Sequence, residues 1–325
     1  MREITYVQAI REALQEELRR DSNVFIMGED IRWSAQGSTV TLFDEFGGDR
    51  IISTPISENG FTGMCIGAAE AGKRPIVEIM YSNFIYLTLD QILNQASKIR
   101  YMSGGQVKVP IVIRTVTGAR GSGAAHHSDT PYPLFLNFPG LKVIYPSTAY
   151  DVKGLLKSAI RDDNPVIFFE GAILLSKKGP VPEDEYFIPI GKADVKKTGS
   201  DVTIVAIGPT VETALSVASQ LEDKISIEVI DPRTLVPLDE ETILSSVKKT
   251  GHLVIIEDTP PVASLSSEIA ALVSEKAYPY LKGAIYRVNR LNVPVPFSPP
   301  LEKYVLPNEK RLTEAICRLT GINVQ

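Results

Sequence analysis

The chain is poor in the residues that build metal centres and disulfide frameworks: 325 positions hold two cysteines, three histidines and one tryptophan. Cys65 and Cys317 lie far apart, in neither a disulfide framework nor a paired zinc spacing, so a reducing, cytoplasmic setting is expected. Three histidines without a nearby cysteine pair exclude a structural zinc site. Basic charge is also scarce. Acidic side chains outnumber basic ones, 39 to 34, for a net charge of -5, which denies the chain the basic face of a nucleic-acid binder. No apolar run reaches the roughly 18 residues of a membrane span. The opening stretch, MREITYVQAIREALQEELRR, mixes Glu with Arg, unlike secretory or transit peptides. Neither a membrane segment nor a targeting signal is expected.

What remains is an ordinary globular composition, 44% hydrophobic and 22% charged, long enough for two domains that each bury a core. Val7, Ile10, Leu14 and Leu18 follow helical spacing, and the run from Val24 to Met27 reads as a buried strand ending at Gly28. The alternation continues with a helix at 60–71, a strand at 75–80, a helix at 84–101 and a strand at 110–114. A strand at 141–145, a helix at 150–161 and a strand at 165–170 follow. Residues 171–190 then mix charge with breakers, including Gly179, Pro180 and Pro182, and read as the connection between domains. Beyond them strands at 202–207, 226–230, 253–257 and 284–288 alternate with helices at 211–221, 240–249, 266–275 and 309–320. Strands alternating with helices predict two parallel-sheet α/β domains, spanning 1–185 and 186–325.

Several motifs point nowhere. GAAEAGKR at 67–74 has the start of a phosphate loop, but Arg74 stands where Ser or Thr is required, and the run closes a helix instead of opening one. GARGSGAAHH has His126 at the third glycine position of a dinucleotide fingerprint. His127, Ser128 and Asp129 are adjacent, which rarely gives triad geometry, and no GxSxG elbow is present.

TPISENGFTG, at 54–63, is different. It places Glu58 at the start of a helix, with Ser57 or Asn59 available as its cap. An acid there suits the helix dipole, the plain explanation when the segment is taken alone. Its surroundings add more. GEDI at 28–31, the run 74–106, HHSD at 126–129, the run 139–170, DPRTLVPLDEETI at 231–243 and PFSPPLEKYVLPN at 296–308 follow in order.

Together these stretches resemble, over nearly the whole chain, the β subunits of 2-oxo acid dehydrogenases, members of the transketolase-like thiamin-diphosphate enzymes. The resemblance implies a thiamin pyrimidine-binding domain followed by a transketolase C-terminal-like domain. Glu58 then matches the glutamate that hydrogen-bonds the cofactor's pyrimidine ring, its proton favouring the imino tautomer that deprotonates the thiazolium carbon. Phe84 matches the aromatic that packs on that ring, Ile56 and Met80 the apolar walls, and Glu29 a nearby acid that relays protons; without the family, Ile56 and Met80 are ordinary core residues. His127 matches a substrate-channel histidine suited to proton transfer near neutrality, while His126 and His252 are read as structural. Ile111, Ala159, Asp162 and Asn164 match a potassium-binding turn of oxygen donors, though RDDNP is first of all a turn signal.

The GDG-plus-Asn pattern that holds magnesium and the diphosphate in this superfamily is absent. The resemblance therefore implies half a site, completed by an α subunit in a heterotetramer of two α and two β chains. Gly63 and Gly67, one helical turn apart, allow close approach of a partner helix or of the chain's own core. The implied activity is oxidative decarboxylation of a 2-oxo acid, with acyl transfer to lipoyl groups of a dihydrolipoyl acyltransferase core. An acetoin dehydrogenase β subunit and a non-catalytic assembly paralogue are the alternatives. Asp129, where many relatives have Gln, and EDTPPVASLSSEI at 257–269, which lacks the usual paired glycines, depart from the pattern.

Overall fold

The first helix begins where its sequence can satisfy it. Thr5 Oγ1 accepts the Gln8 N–H at 3.2 Å while Gln8 Oε1 accepts the Thr5 N–H at 2.9 Å, a reciprocal cap on the helix Tyr6–Arg20. Its buried face, with Ile10, Leu14 and Leu18, packs against the helix Ala149–Arg161. That second helix buries Lys153 and Lys157, which is tolerable because Glu12 and Glu16 of the first helix pair with them at 2.9 and 2.6 Å.

The computed structural model describes residues 1–323, which form two compact units: 1–118 with 134–190, and 119–133 with the chain from Gly191 onward. In the first unit parallel strands run in the order Lys142–Ile144, Val166–Gly171, Val112–Thr117, Arg74–Tyr81, Val24–Gly28 and Ile51–Ser53. VIRTVT and VIFFEG are buried at every position, as strands covered on both faces must be. Sites in such sheets gather beyond the carboxyl ends of the strands.

In the second unit the order is Tyr286–Asn289, Leu253–Glu257, Val202–Ala206, Ile227–Asp231 and Asp194–Lys197, all parallel except the last pair. Ile204, Val229, Val254 and Ile256 share its core with residues of the helices Thr210–Gln220 and Glu309–Thr320. The α/β architecture is the one the alternating pattern predicts.

Local differences have physical causes. The helix expected at 84–101 is broken into a 3-10 segment Ser82–Thr88, a π-helical turn Gln91–Ala96 and a short α-helix Ile99–Met102. Thr88 and Ser97 hydroxyls donate to the carbonyls of Ile85 and Leu93, both at 2.8 Å, competing with the regular ladder. Within 171–190, the strand Lys178–Val181 pairs antiparallel with Arg2–Thr5 and Ile188 joins the first unit's core, so the two units part at Ile190 and Gly191. The helix Pro299–Val305 was hidden by its prolines, which read as breakers but are accepted in a first turn. Among the described residues no helix is long and apolar enough to cross a membrane.

Candidate active site

Three adjacent strands of the first unit, 51–53, 24–28 and 74–81, end side by side. Glu29 follows the middle one directly. Gly28 is required there because a Cβ would lie 2.5 Å from the carbonyl oxygen of Glu78 on the neighbouring strand. Glu58 opens the helix Glu58–Glu70 a few residues after the strand 51–53, and Met80 and Phe84 stand at and just past the end of the strand 74–81.

Glu58 is only 5% exposed. An acid serving the helix dipole alone belongs in water, and Ser57, the capping residue, makes no side-chain cap bond to share the work. The Glu58 carboxylate instead meets the Glu29 carboxyl. Burial, then the charge of Glu58 and a hydrogen bond to it, push Glu29 up to about 7. Glu29 Oε1 is buried with no hydrogen-bond partner, an orphaned polar atom. Phe84 meets Tyr81 edge to face at 5.7 Å, and both Phe84 and Met80 are half-buried. Ile56 is 85% exposed, so it is not a core residue of its own unit. Cys65, on the same helix, is no nucleophile: burial pushes its thiol up to about 12.

Sequence reading missed the layer beneath. Arg114 is fully buried between Glu78 and Glu170, on neighbouring strands, with Nε 2.8 Å from Glu170 Oε1, Nη1 bonded to Glu78 Oε2 and Nη2 2.9 Å from Ser38 Oγ. Burial alone would lower the guanidinium pKa, but Glu170 and Glu78 hold it above its ordinary value, while burial raises Glu78. Ser38 belongs to the loop that follows Glu29, so the network ties that loop to the sheet. The signal available in sequence was charge at Glu78, Arg114 and Glu170 in the middle or toward the end of three buried strands.

His127 lies in the second unit, half-buried at the end of the 3-10 turn Ala125–His127, with His126 exposed beside it. His252 is held by Nδ1 against the Asp201 carbonyl at 2.9 Å. In the first unit, Ile111, Ala159, Asp162 and Asn164 are brought together at the turn 161–165. Their oxygens already have partners. The carbonyls of Ile111 and Ala159 accept from Val166 and Asp162 N–H at 2.9 and 3.2 Å, and Asp162 O accepts from Arg74 Nη1 at 3.0 Å. Asn164 Oδ1 accepts from Arg100 Nη1 at 2.5 Å. Each carbonyl keeps a second lone pair, so oxygen donors for a hard cation remain, but Arg74, Arg100, Lys108 and Lys142 already bring cations to the turn, Lys142 on the Asp162 carboxylate itself. Among the described residues no group of three or more His, Cys, Asp or Glu side chains could hold a metal.

Two α/β units, the first with a buried acid pair at the carboxyl ends of its parallel strands, agree with the comparisons with known proteins. Residues 2–177 match the family model of the transketolase pyrimidine binding domain, and residues 191–312 that of the transketolase C-terminal domain. The chain belongs to this transketolase-like family. Within it, the chain is similar to named β subunits along its whole length. It is 47% identical to the pyruvate dehydrogenase E1 component subunit beta of Rickettsia felis, covering 99% of this chain and 100% of that one. It is 45% identical to the acetoin:2,6-dichlorophenolindophenol oxidoreductase subunit beta of Bacillus subtilis, covering 98% of each. The 2-oxoisovalerate dehydrogenase subunit beta of the same organism is 41% identical, covering 97% of this chain and 98% of that one. A solved structure described as a split gene transketolase, inactive beta4 tetramer, shares the fold at 23% identity, with a TM-score of 0.80 over 99% of each chain.

Proposed function

We propose that the chain is the β subunit of a thiamin-diphosphate-dependent 2-oxo acid dehydrogenase, active only with an α subunit. The observation that carries this reading is the buried Glu29 and Glu58 pair, with one orphaned oxygen, at the carboxyl ends of three parallel strands. A carboxyl placed there can hold a proton against a ring nitrogen. When bound, thiamin diphosphate would supply the electron sink that 2-oxo acid decarboxylation needs. Glu58 is the residue that meets its pyrimidine and keeps the proton in place; Glu29 tunes that proton through the shared hydrogen bond. Phe84, Met80 and Ile56 are the apolar walls that exclude water. His127 moves the proton that accompanies acyl transfer toward a lipoyl group of a dihydrolipoyl acyltransferase core.

The missing diphosphate and magnesium ligands belong, in this reading, to the α subunit of an α2β2 assembly. An open apolar face supports a covering partner. Met64 is 65% exposed, Leu87 59%, and a Cβ on Gly67 would meet nothing within 4 Å, so the face of helix 58–70 bearing Met64 and Gly67 is free to receive another chain. Potassium at the 161–165 turn is a separate proposal: replacing sodium by potassium at fixed ionic strength should raise the unfolding temperature, and no change would leave Arg74, Arg100, Lys108 and Lys142 as that turn's cations.

The acetoin oxidoreductase β subunit, at 45% identity, supports a second reading with the same carboxyl chemistry and a different substrate. A non-catalytic paralogue would have no need of a buried proton-sharing pair. The discriminating experiment is co-expression with the α subunit followed by assay on pyruvate, branched-chain 2-oxo acids and acetoin. Turnover of a 2-oxo acid supports the main reading, turnover of acetoin alone the second, and inactivity with tight assembly the paralogue.

A further inference from the structure

Nothing in the half-site above explains how the histidine turn is held. The segment 119–133 has no strand and no α-helix, and it bends through left-handed backbone at Gly121 (φ 81°), Ser122 (φ 61°) and Ala124 (φ 56°). Two of these are residues with a side chain, so the bend is strained and needs outside support. The rest of the second unit grips it on both sides of His127.

On the N-terminal side is Glu302, from the helix Pro299–Val305, 6% exposed. One of its carboxylate oxygens accepts the Gly121 N–H at 3.0 Å and the other the Ser122 N–H at 2.9 Å. A buried carboxylate with two backbone donors makes strong charge-assisted bonds, and it fits only this bent backbone, which aims consecutive N–H groups at one point. On the C-terminal side is Arg290, 3% exposed, at the end of the strand Tyr286–Asn289. Its Nη1 donates to the Ser128 carbonyl at 3.3 Å, Nη2 lies 3.5 Å from Asp129 Oδ1, and Nε lies 3.9 Å from Asp258 Oδ1. Thr130 Oγ1 donates to Asp258 at 3.4 Å, and Tyr132 donates to Glu257. Residues 121, 122, 128, 129, 130 and 132 are thus fixed, and His127 sits inside the span.

We infer that Glu302 and Arg290 are positioning residues for His127: a two-sided clamp that sets where the imidazole of a strained turn stands. The inference rests on the proposed role of His127 in acyl transfer, but the clamp itself can be tested without turnover. Asp129 places a carboxylate 3.5 Å from Arg290 Nη2, inside the same clamp.

The chain's three histidines make the experiment readable, because His252 is anchored elsewhere in the same unit and serves as an internal control. Histidine-labelled protein, assembled with its α subunit, is examined by NMR as wild type, Glu302→Gln and Arg290→Met. The His127 resonance should shift and broaden in both variants while His252 keeps its position. An unchanged His127 signal, or equal movement of His252, would overturn the clamp. Where the holoenzyme turns over substrate, Glu302→Gln should slow acyl transfer on the order of ten- to a hundredfold, and the loss should largely disappear in a His127→Ala background. Additive losses would show that Glu302 does not act through His127. A wild-type assembly without turnover would count against the proposed function, and the NMR arm would still decide the clamp. If Glu302→Gln does not fold, Arg290→Met, alone and with His127→Ala, carries both arms.

Discussion

Glu29 and Glu58 bring two carboxyl groups together at positions no more than 9% exposed. Glu58 could be singled out from the chain alone because TPISENGFTG puts an acid at a helix start, but composition could not tell a dipole partner from a buried proton holder; its burial and its contact with Glu29 could not be read from order along the chain. The pair has a pH signature. Glu29 is raised from 4.5 to about 7, so the folded state holds its proton more tightly than the unfolded chain. The stability it contributes is complete below pH 4.5 and is lost as pH rises through 7. Urea unfolding of the isolated chain should therefore show Glu29→Gln gaining on the wild type across that window; a constant difference would mean no shared proton. Arg114 makes a different prediction. Removing it as Arg114→Met leaves Glu78 and Glu170 buried without a counter-charge, which should cost roughly 3–5 kcal/mol in denaturant unfolding. Removing one of the two carboxylates as well, with Glu170→Gln in the same chain, returns the cluster to its original net charge and should recover part of it.

At the scale of elements, the apolar runs at 24–27, 75–80 and 253–257 were enough to place buried parallel strands, because strands covered on both faces have little choice of composition. The strand 178–181 was not legible: it is short, breaker-rich and stabilised by its partner 2–5. Nor was the break within 82–102, where hydroxyl side chains compete for carbonyls that an apolar periodicity count ignores. Gly28 shows how tightly the strand ends are set. Gly28→Ala should lower stability by about 1–3 kcal/mol, measured by thermal unfolding, since a methyl group has to displace the backbone of the next strand. The helix 58–70 has two faces, one bearing Glu58, Phe61 and Cys65 inward and one bearing Met64 and Gly67 outward. Met64→Glu should leave the isolated chain's unfolding unchanged within about 0.5 kcal/mol, as exposed substitutions do, and abolish co-purification with the α subunit. Retained co-purification would move the interface elsewhere.

The whole molecule is two α/β units, each with a candidate site segment at the carboxyl ends of its strands. The first carries the acid pair; the second carries a histidine on a segment borrowed from between two strands of the first, at residues 119–133. A sequence read in order assigns that segment to its neighbours, which is why the histidine's supports at Arg290 and Glu302, more than 160 residues away, were invisible. The proposed division of labour places proton control on this chain and diphosphate binding on its partner, so neither chain should decarboxylate alone. The most direct test is the assembled α and β complex with thiamin diphosphate and a 2-oxo acid, comparing wild type with Glu58→Gln. The account predicts that the variant assembles normally and loses at least about a hundredfold in decarboxylation, the scale of a positioned proton-transfer group. Decarboxylation at the wild-type rate by the assembled Glu58→Gln complex would contradict it.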